Sequence, residues 1–331
     1  MTETSQEQKL PGVLLMHSIL EPGPALLAEA CEVKNYPSSQ PLEEDAIRKA
    51  AEGCVGIVSQ LMDPIGETVL STPGLKIVSN VAVGFDNIDV AAATKHGVMI
   101  TNTPGVLDET TADFAFALIM AAARRVVQAD NFVRGGNFKG WALDMMLGQD
   151  VHDATLGIIG IGRIGRAVAR RGRAFNMRVI YTDPNPLMPE VERQLNLQRV
   201  DLHRVLVESD FISVHVPLTE QTRHLLGREQ FEAMKPTAIL VNTSRGPVID
   251  ETALADALKT HQIFAAGLDV YEKEPDVHPA LLGLHNVVLA PHIASASVRT
   301  RSEMSAVAAR NLATGVRGGR PANLVNPEVF R

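Results

Sequence analysis

A chain of 331 residues with 45% hydrophobic and 21% charged residues has ordinary globular composition and is long enough for about two domains. Its formal net charge of −7 and pI near 5.8 give no electrostatic footprint for nucleic acid or an anionic membrane. Cys31 and Cys54, the only cysteines, cannot build a disulfide scaffold or a four-cysteine zinc site. The start, MTETSQEQKL, is polar and acidic, and reads as neither a secretory signal nor an Arg-rich transit peptide. The longest apolar run, residues 114–123, lies between Asp113 and Arg124 and falls far short of the ~20 residues that cross a bilayer. A soluble protein of a reducing, cytoplasmic compartment is expected.

In chain order, apolar runs at 13–16, 55–59, 75–79 and 98–101 read as strands, with helical stretches at 42–51 and 88–95 between them. The loop TNTPGVLD opens a long Ala-rich helix predicted over 109–131. Strands resume at 155–159, 178–182, 211–216, 238–242, 264–270 and 287–289, and a second long helix, about 297–316, returns the chain. Continuous Val/Ile/Leu runs separated by helices suit parallel strands buried on both faces, so two doubly wound α/β units are predicted. The tail PANLVNPEVF is too short to be a domain and must pack onto something already built. The first domain is therefore expected to be discontinuous, residues 1–105 with 299–331, around a central domain of 106–298.

Residues 155–169 read TLGIIGIGRIGRAVA, an apolar strand running into Gly160, Gly162 and Gly165 and then a helix with Ile164, Ala167 and Val168 on its inner face. The first glycine permits a tight turn, the second lets backbone approach a pyrophosphate, and the third lets the helix sit close on the strand. Asp183, at the end of RVIYTD, stands where a carboxylate accepts from an adenosine ribose hydroxyl and repels the extra phosphate of NADP. The residues after it, Pro184–Asn185–Pro186, offer no basic side chain. A dinucleotide is expected, with NADH preferred over NADPH. Arg163 could reach a pyrophosphate oxygen or simply make a surface ion pair.

Arg245, Glu274 and His292 follow the ends of three late apolar runs, where open α/β sheets bind ligands. Reducing a ketone next to a carboxylate needs these three groups. His292 can donate the proton. The planar fork of Arg245 can hold the carboxylate and polarise the carbonyl. A carboxylate at Glu274 would stabilise the charged imidazole. No metal is needed: the ten histidines show no HExxH spacing, and no GxSxG elbow is present.

TLGIIGIGRIGRAVA, NTSRGPVIDE, AAGLDVYEKEP and LAPHIASAS, in this order, resemble the D-isomer-specific 2-hydroxyacid dehydrogenase family. The resemblance runs from NVAVGFDNID through TPGVLDETTADFAFALIM to the final helix. It implies a Rossmann-like, NAD-binding domain inserted into a flavodoxin-like, substrate-binding one, with a small 2-oxo or 2-hydroxy acid held in the interdomain cleft. It assigns catalysis to Arg245, Glu274 and His292, and a carboxylate cradle to the amides of Val83 and Gly84. It carries cofactor contacts onto Thr111, Arg163, Ile164, Asp183, Val216, Pro217, Thr222, Thr243, Ser244, Arg245, Asp269, His292 and Ser295. PHIASASVRTRSEM, NPEVF and GWALDMMLGQDV are similar to the glyoxylate/hydroxypyruvate reductase branch, in which a tryptophan reaches the neighbouring subunit's site. That tryptophan would be Trp141, in a homodimer, or else a local hydrophobic anchor. Leu61 would line the substrate pocket or serve packing. Sugar-acid or 3-phosphoglycerate dehydrogenases, and dinucleotide-sensing corepressors on the same fold, remain the competing readings.

Overall fold

The computed structural model describes residues 10–37 and 42–330. The N-terminal stretch read above as lacking a targeting signal therefore lies, apart from Leu10, outside the described residues. Two compact units emerge, Met1–Leu107 with Ala296–Arg331, and Asp108–Ser295. Among the described residues no helix is long and apolar enough to cross a membrane.

The first unit is a five-stranded parallel sheet of β1 (Gly12–Leu15), β2 (Glu32–Asn35), β3 (Gly56–Ser59), β4 (Ile77–Asn80) and β5 (Met99–Thr101), in the order β2-β1-β3-β4-β5. Its strands are short and, apart from the edge strand β2, buried on both faces, so each face needs a helical cover. One face packs against Ile47, Val69, Leu70, Ala92 and Ala93. The other packs against the helix Val298–Val316 through Ala309, Leu312 and Val316. Ser297 caps that helix, its hydroxyl accepting the Thr300 N–H at 3.1 Å. The tail then joins the sheet edge, where Val325 N–H donates to Ile100 O and Asn326 Oδ1 accepts the Ile100 N–H, both at 2.8 Å.

The second unit holds seven parallel strands, β6 (Thr155–Ile159), β7 (Arg178–Thr182), β8 (Leu197–Arg199), β9 (Phe211–Val214), β10 (Ile239–Asn242), β11 (Ala265–Leu268) and β12 (Val287–Leu289). Their order is β12-β11-β10-β9-β6-β7-β8, so the winding reverses between β6 and β9. A crevice at the carboxyl ends is expected at such a reversal.

Two features depart from the sequence reading. The strands β2 and β8 went unrecognised because both are edge strands with mostly exposed, polar residues, EVKN and LQR. The helix expected over 109–131 is two helices, Asp108–Ala123 and Val126–Arg134, separated by Arg125 in the left-handed region at φ 54°. The Ala123 carbonyl accepts the Gln149 N–H at 2.9 Å, and a Cβ on Gly148 would lie 2.1 Å from that oxygen. A crossing segment of chain thus replaces the helical hydrogen bond and ends the first helix.

Candidate active site

Each glycine of the loop after β6 has its own steric reason. Gly160 sits at φ +95°, and a Cβ there would come within 2.8 Å of the His215 carbonyl at the end of β9. A Cβ on Gly165 would fall 2.2 Å from Gly160 O, so only glycine lets the helix Arg163–Ala174 sit on the turn. Gly162 caps that helix, and a Cβ there meets nothing within 4 Å. Open space in front of a helix N-terminus is what a pyrophosphate requires.

The carboxylate of Asp183 props this loop. Its Oδ2 accepts the Ile161 N–H at 2.9 Å and its Oδ1 the Asn185 N–H at 2.8 Å, leaving each oxygen further lone pairs for a ribose hydroxyl. The turn is not devoid of basic groups, because Arg199 at the end of β8 donates to the carbonyls of Asp183 and Pro184, at 2.9 and 3.4 Å. Arg163 is engaged by Asp108 at 2.7 Å. Thr222 donates to Pro217 O at 2.7 Å and so closes the turn that follows Val216. At the end of β10, the Thr243 hydroxyl is buried without a partner among the described residues. Thr111 is buried in its helix, and Ile164 and Ser295 are partly buried. The open helix terminus, the propped carboxylate and the orphaned hydroxyl together fit a dinucleotide.

Beyond the adjacent strands β10, β11 and β12 come Arg245, Glu274 and His292. The turn after β10 is built on Asn242, whose Oδ1 accepts from the Ser244 N–H and hydroxyl while its Nδ2 donates to Arg245 O at 2.9 Å. Next to it, a Cβ on Gly246 would lie 1.8 Å from the Tyr271 carbonyl carbon. That glycine therefore lets the Arg245 turn press against the segment leading to Glu274. The same segment is clamped to the helix Glu251–Lys259 by reciprocal bonds: Glu251 Oε1 accepts the Glu272 N–H at 3.0 Å, and Glu272 Oε2 the Glu251 N–H at 3.1 Å. Burial pushes the Glu251 carboxyl up.

Glu274 and His292 meet directly. Glu274 Oε1 accepts the Tyr271 N–H at 3.0 Å, and its Oε2 lies 2.8 Å from His292 Nδ1. His292 Nε2 makes no hydrogen bond among the described residues. The histidine is in the left-handed region, at φ 54°, and its N–H donates to Asp269 O at 2.9 Å. The carboxylate of Asp269, wholly buried, accepts the N–H groups of Ile293 and Ala294, both at 2.8 Å. Tyr271 donates to Ala290 O at 2.9 Å, and burial pushes its phenol up to about 12, so it acts as a neutral prop.

Two residues that sequence reasoning missed also stand at strand ends. Arg199 was hidden with its unrecognised strand. His215, at the end of β9, meets Ser213 Oγ at 2.8 Å, and burial pushes its imidazole down to about 3. A histidine held neutral beside the glycine loop adds no charge to the crevice. Nothing in SVHVPLT signals that burial. Leu61, Val83 and Gly84 belong to the first unit, Leu61 after β3 and the other two after β4. Trp141 is 80% exposed.

Comparison with known proteins places this arrangement. The family described as D-isomer specific 2-hydroxyacid dehydrogenase, NAD binding domain, matches residues 116–294. A glyoxylate reductase of Korarchaeum cryptofilum is 52% identical over 325 residues, covering 97% of both chains. Among solved structures, a glyoxylate reductase from Paecilomyes thermophila superposes with a TM-score of 0.86 at 33% identity, covering 96% of this chain and 99% of its own. An NADPH-dependent glyoxylate/hydroxypyruvate reductase from Sinorhizobium meliloti, in complex with NADP and malonate, gives 0.85 at 32% identity, covering 96% and 97%. The site is thus that of an oxidoreductase that uses a nicotinamide dinucleotide. The chain belongs to the D-isomer-specific 2-hydroxyacid dehydrogenase family.

Gly162 separates binding from folding. Gly162→Ala introduces no clash in the protein yet puts a methyl group where the dinucleotide's phosphates approach. The melting temperature should stay within about 2 °C of wild type, while the NADH dissociation constant rises by about tenfold or more. Thermal melts and fluorescence titration check the two halves. A variant that binds NADH normally would remove the helix N-terminus from the cofactor site.

Proposed function

We propose that this enzyme reduces glyoxylate and hydroxypyruvate to the corresponding D-2-hydroxy acids with NADH. The observation that carries this reading is the 2.8 Å pair of Glu274 and His292, with Nε2 left unbonded beyond the strand that adjoins that of Arg245. The names of the similar reductases support the substrate class. The bound dinucleotide supplies the hydride. Arg245 holds the substrate carboxylate and carbonyl oxygen in one plane through two N–H groups. With Nδ1–H donating to Glu274, His292 keeps its second proton on Nε2 and delivers it to the carbonyl oxygen. Loss of that proton leaves a neutral imidazole still anchored through Nδ1. Leu61 and the amides of Val83 and Gly84 contribute the pocket on the first unit. Neither of those N–H groups donates to a protein acceptor among the described residues.

The preference for NADH rests on Asp183, whose charge stands where the additional phosphate of NADP would sit. Arg199 donates to backbone carbonyls there and, among the described residues, makes no direct ion pair with that carboxylate. The protein functions as a homodimer in this reading. The helix Val126–Arg134 buries none of its residues, and Val126, Val127, Val133, Phe138, Trp141, Leu143 and Leu147 are exposed. An apolar segment of this length exposed to water marks an interface, and a second copy of the chain would cover it, bringing Trp141 with it. Sedimentation should give about twice the 35.7 kDa chain mass. A monomer at micromolar concentration would contradict this.

NADH oxidation against a panel of 2-oxo acids tests the activity, with glyoxylate and hydroxypyruvate expected among the best. Arg245→Lys retains charge but loses the fork, so kcat/KM should fall by about a hundredfold or more. Near-normal turnover would take the carboxylate away from Arg245. Asp183→Ala should improve NADPH use chiefly through its KM, because the contact is remote from the reacting carbon. A wild-type enzyme that already favours NADPH would overturn this reading of the turn after β7.

A further inference from the structure

The first unit contains a polar network that the reaction described above does not use. Its sheet also has a winding reversal, between β1 and β3. His17 follows β1 and Asp63 follows β3, so both stand at the carboxyl ends beside that reversal, where an open sheet takes its ligand. The Asp63 side chain is fully buried and, among the described residues, makes no ion pair with a lysine or arginine. Its Oδ1 meets His17 Nε2 at 2.7 Å and its Oδ2 accepts the Gln60 N–H at 2.7 Å. The Asp63 N–H in turn donates to Gln60 O at 3.2 Å, so one residue closes the turn 60–63 from both sides. Leu61 is inside that turn.

The network continues to the other candidate substrate loop. Asn87 Nδ2 donates to the carbonyls of Gln60 and Asp63, at 3.0 and 2.9 Å. Its Oδ1 accepts from Asn80 Nδ2 at 3.3 Å. The same Asn80 amide donates to Gly84 O at 3.0 Å, and Asn80 Oδ1 accepts from Ser59 at 3.0 Å. An unbroken path of hydrogen bonds therefore joins His17 and Asp63 to the segment that carries Val83 and Gly84. Folding alone does not call for this design, because an apolar residue at position 63 would fill the same space without burying a polar carboxyl group. A buried carboxyl group with a hydrogen bond on each oxygen instead fixes local geometry.

We propose that Asp63, held by His17, is a positioning residue of the keto-acid pocket: it sets the Leu61 turn and, through Asn87 and Asn80, registers that turn against the Val83–Gly84 amides. The inference rests on the assignment of Leu61, Val83 and Gly84 to substrate. It requires that loosening Asp63 weaken the hold on the keto acid while the dinucleotide binds as before.

The test is steady-state kinetics on the intact enzyme with the best 2-oxo acid of the panel, alongside NADH fluorescence titration and a thermal melt. Asp63→Ala should raise the keto-acid KM by about tenfold or more, with kcat within about threefold and NADH affinity within about twofold. Asp63→Asn keeps an acceptor for the Gln60 N–H and should recover most of that loss. His17→Ala removes a side chain that is 37% exposed and leaves the Gln60 N–H on Asp63 Oδ2; with folding checked by the melt, its KM should rise by about threefold or more. If Asp63→Ala does not fold, the other two variants decide. A keto-acid KM unchanged in His17→Ala and in every folded Asp63 variant, whatever happens to the melting temperature, would overturn the proposal and leave the reductase reading standing. A wild-type enzyme that oxidises NADH with none of the 2-oxo acids would overturn both.

Discussion

The geometry of the candidate active site hangs on how one buried charge is satisfied. Asp269, at the end of β11, is wholly buried, and burial pushes its carboxyl up. What offsets that cost is the pair of N–H groups from Ile293 and Ala294 that point at its two oxygens, helped by the nearby His292. Its own carbonyl takes the N–H of His292. Three hydrogen bonds on one residue thus hold the chain after β12 in a conformation that puts His292 at positive φ, uncommon for a residue other than glycine. Glu274 then fixes the ring through Nδ1, and Nε2 makes no hydrogen bond among the described residues.

The rest of the second unit serves this arrangement by close approach of backbone. Gly246 lets the Arg245 turn lie against the Tyr271 carbonyl, and the reciprocal Glu251 and Glu272 bonds stiffen the same segment from the other side. On the opposite flank of the winding reversal, Gly160 and Gly165 bring loop, helix and β9 together so that Gly162 faces open space. The first unit reaches comparable precision differently, with side-chain amides and one buried carboxylate bridging loops that glycines alone would leave loose. In both units the candidate site residues stand on the turns beyond strand ends.

Much of this was legible in the amino-acid sequence, for identifiable physical reasons. Parallel strands that are continuous apolar runs are the easiest to read, and β6, β7 and the edge strand β12 were read to the residue. GxGxxG after a strand carries its own steric logic, and each of its three glycines behaves as that logic requires. Edge strands β2 and β8 have little to bury and left no pattern, which is why Arg199 was not placed beside Asp183. The break at Arg125 depends on a segment arriving more than twenty residues later, at Gly148, and no local propensity encodes it. The pairing of His17 with Asp63 spans 46 positions and has no motif. Long-range polar contacts of this kind are invisible to periodicity, which reports only which face is buried.

The central claim is that His292, oriented by Glu274 and Asp269, delivers the proton to the keto acid. The most direct measurement is single-turnover oxidation of bound NADH by saturating glyoxylate in His292→Asn, compared with wild type, with NADH affinity measured on the same samples. Loss of the proton donor should slow NADH oxidation by about a hundredfold or more while NADH binds with unchanged affinity. Oxidation at a rate within about fivefold of wild type, in a variant that still binds NADH, would contradict the assignment of the proton to His292.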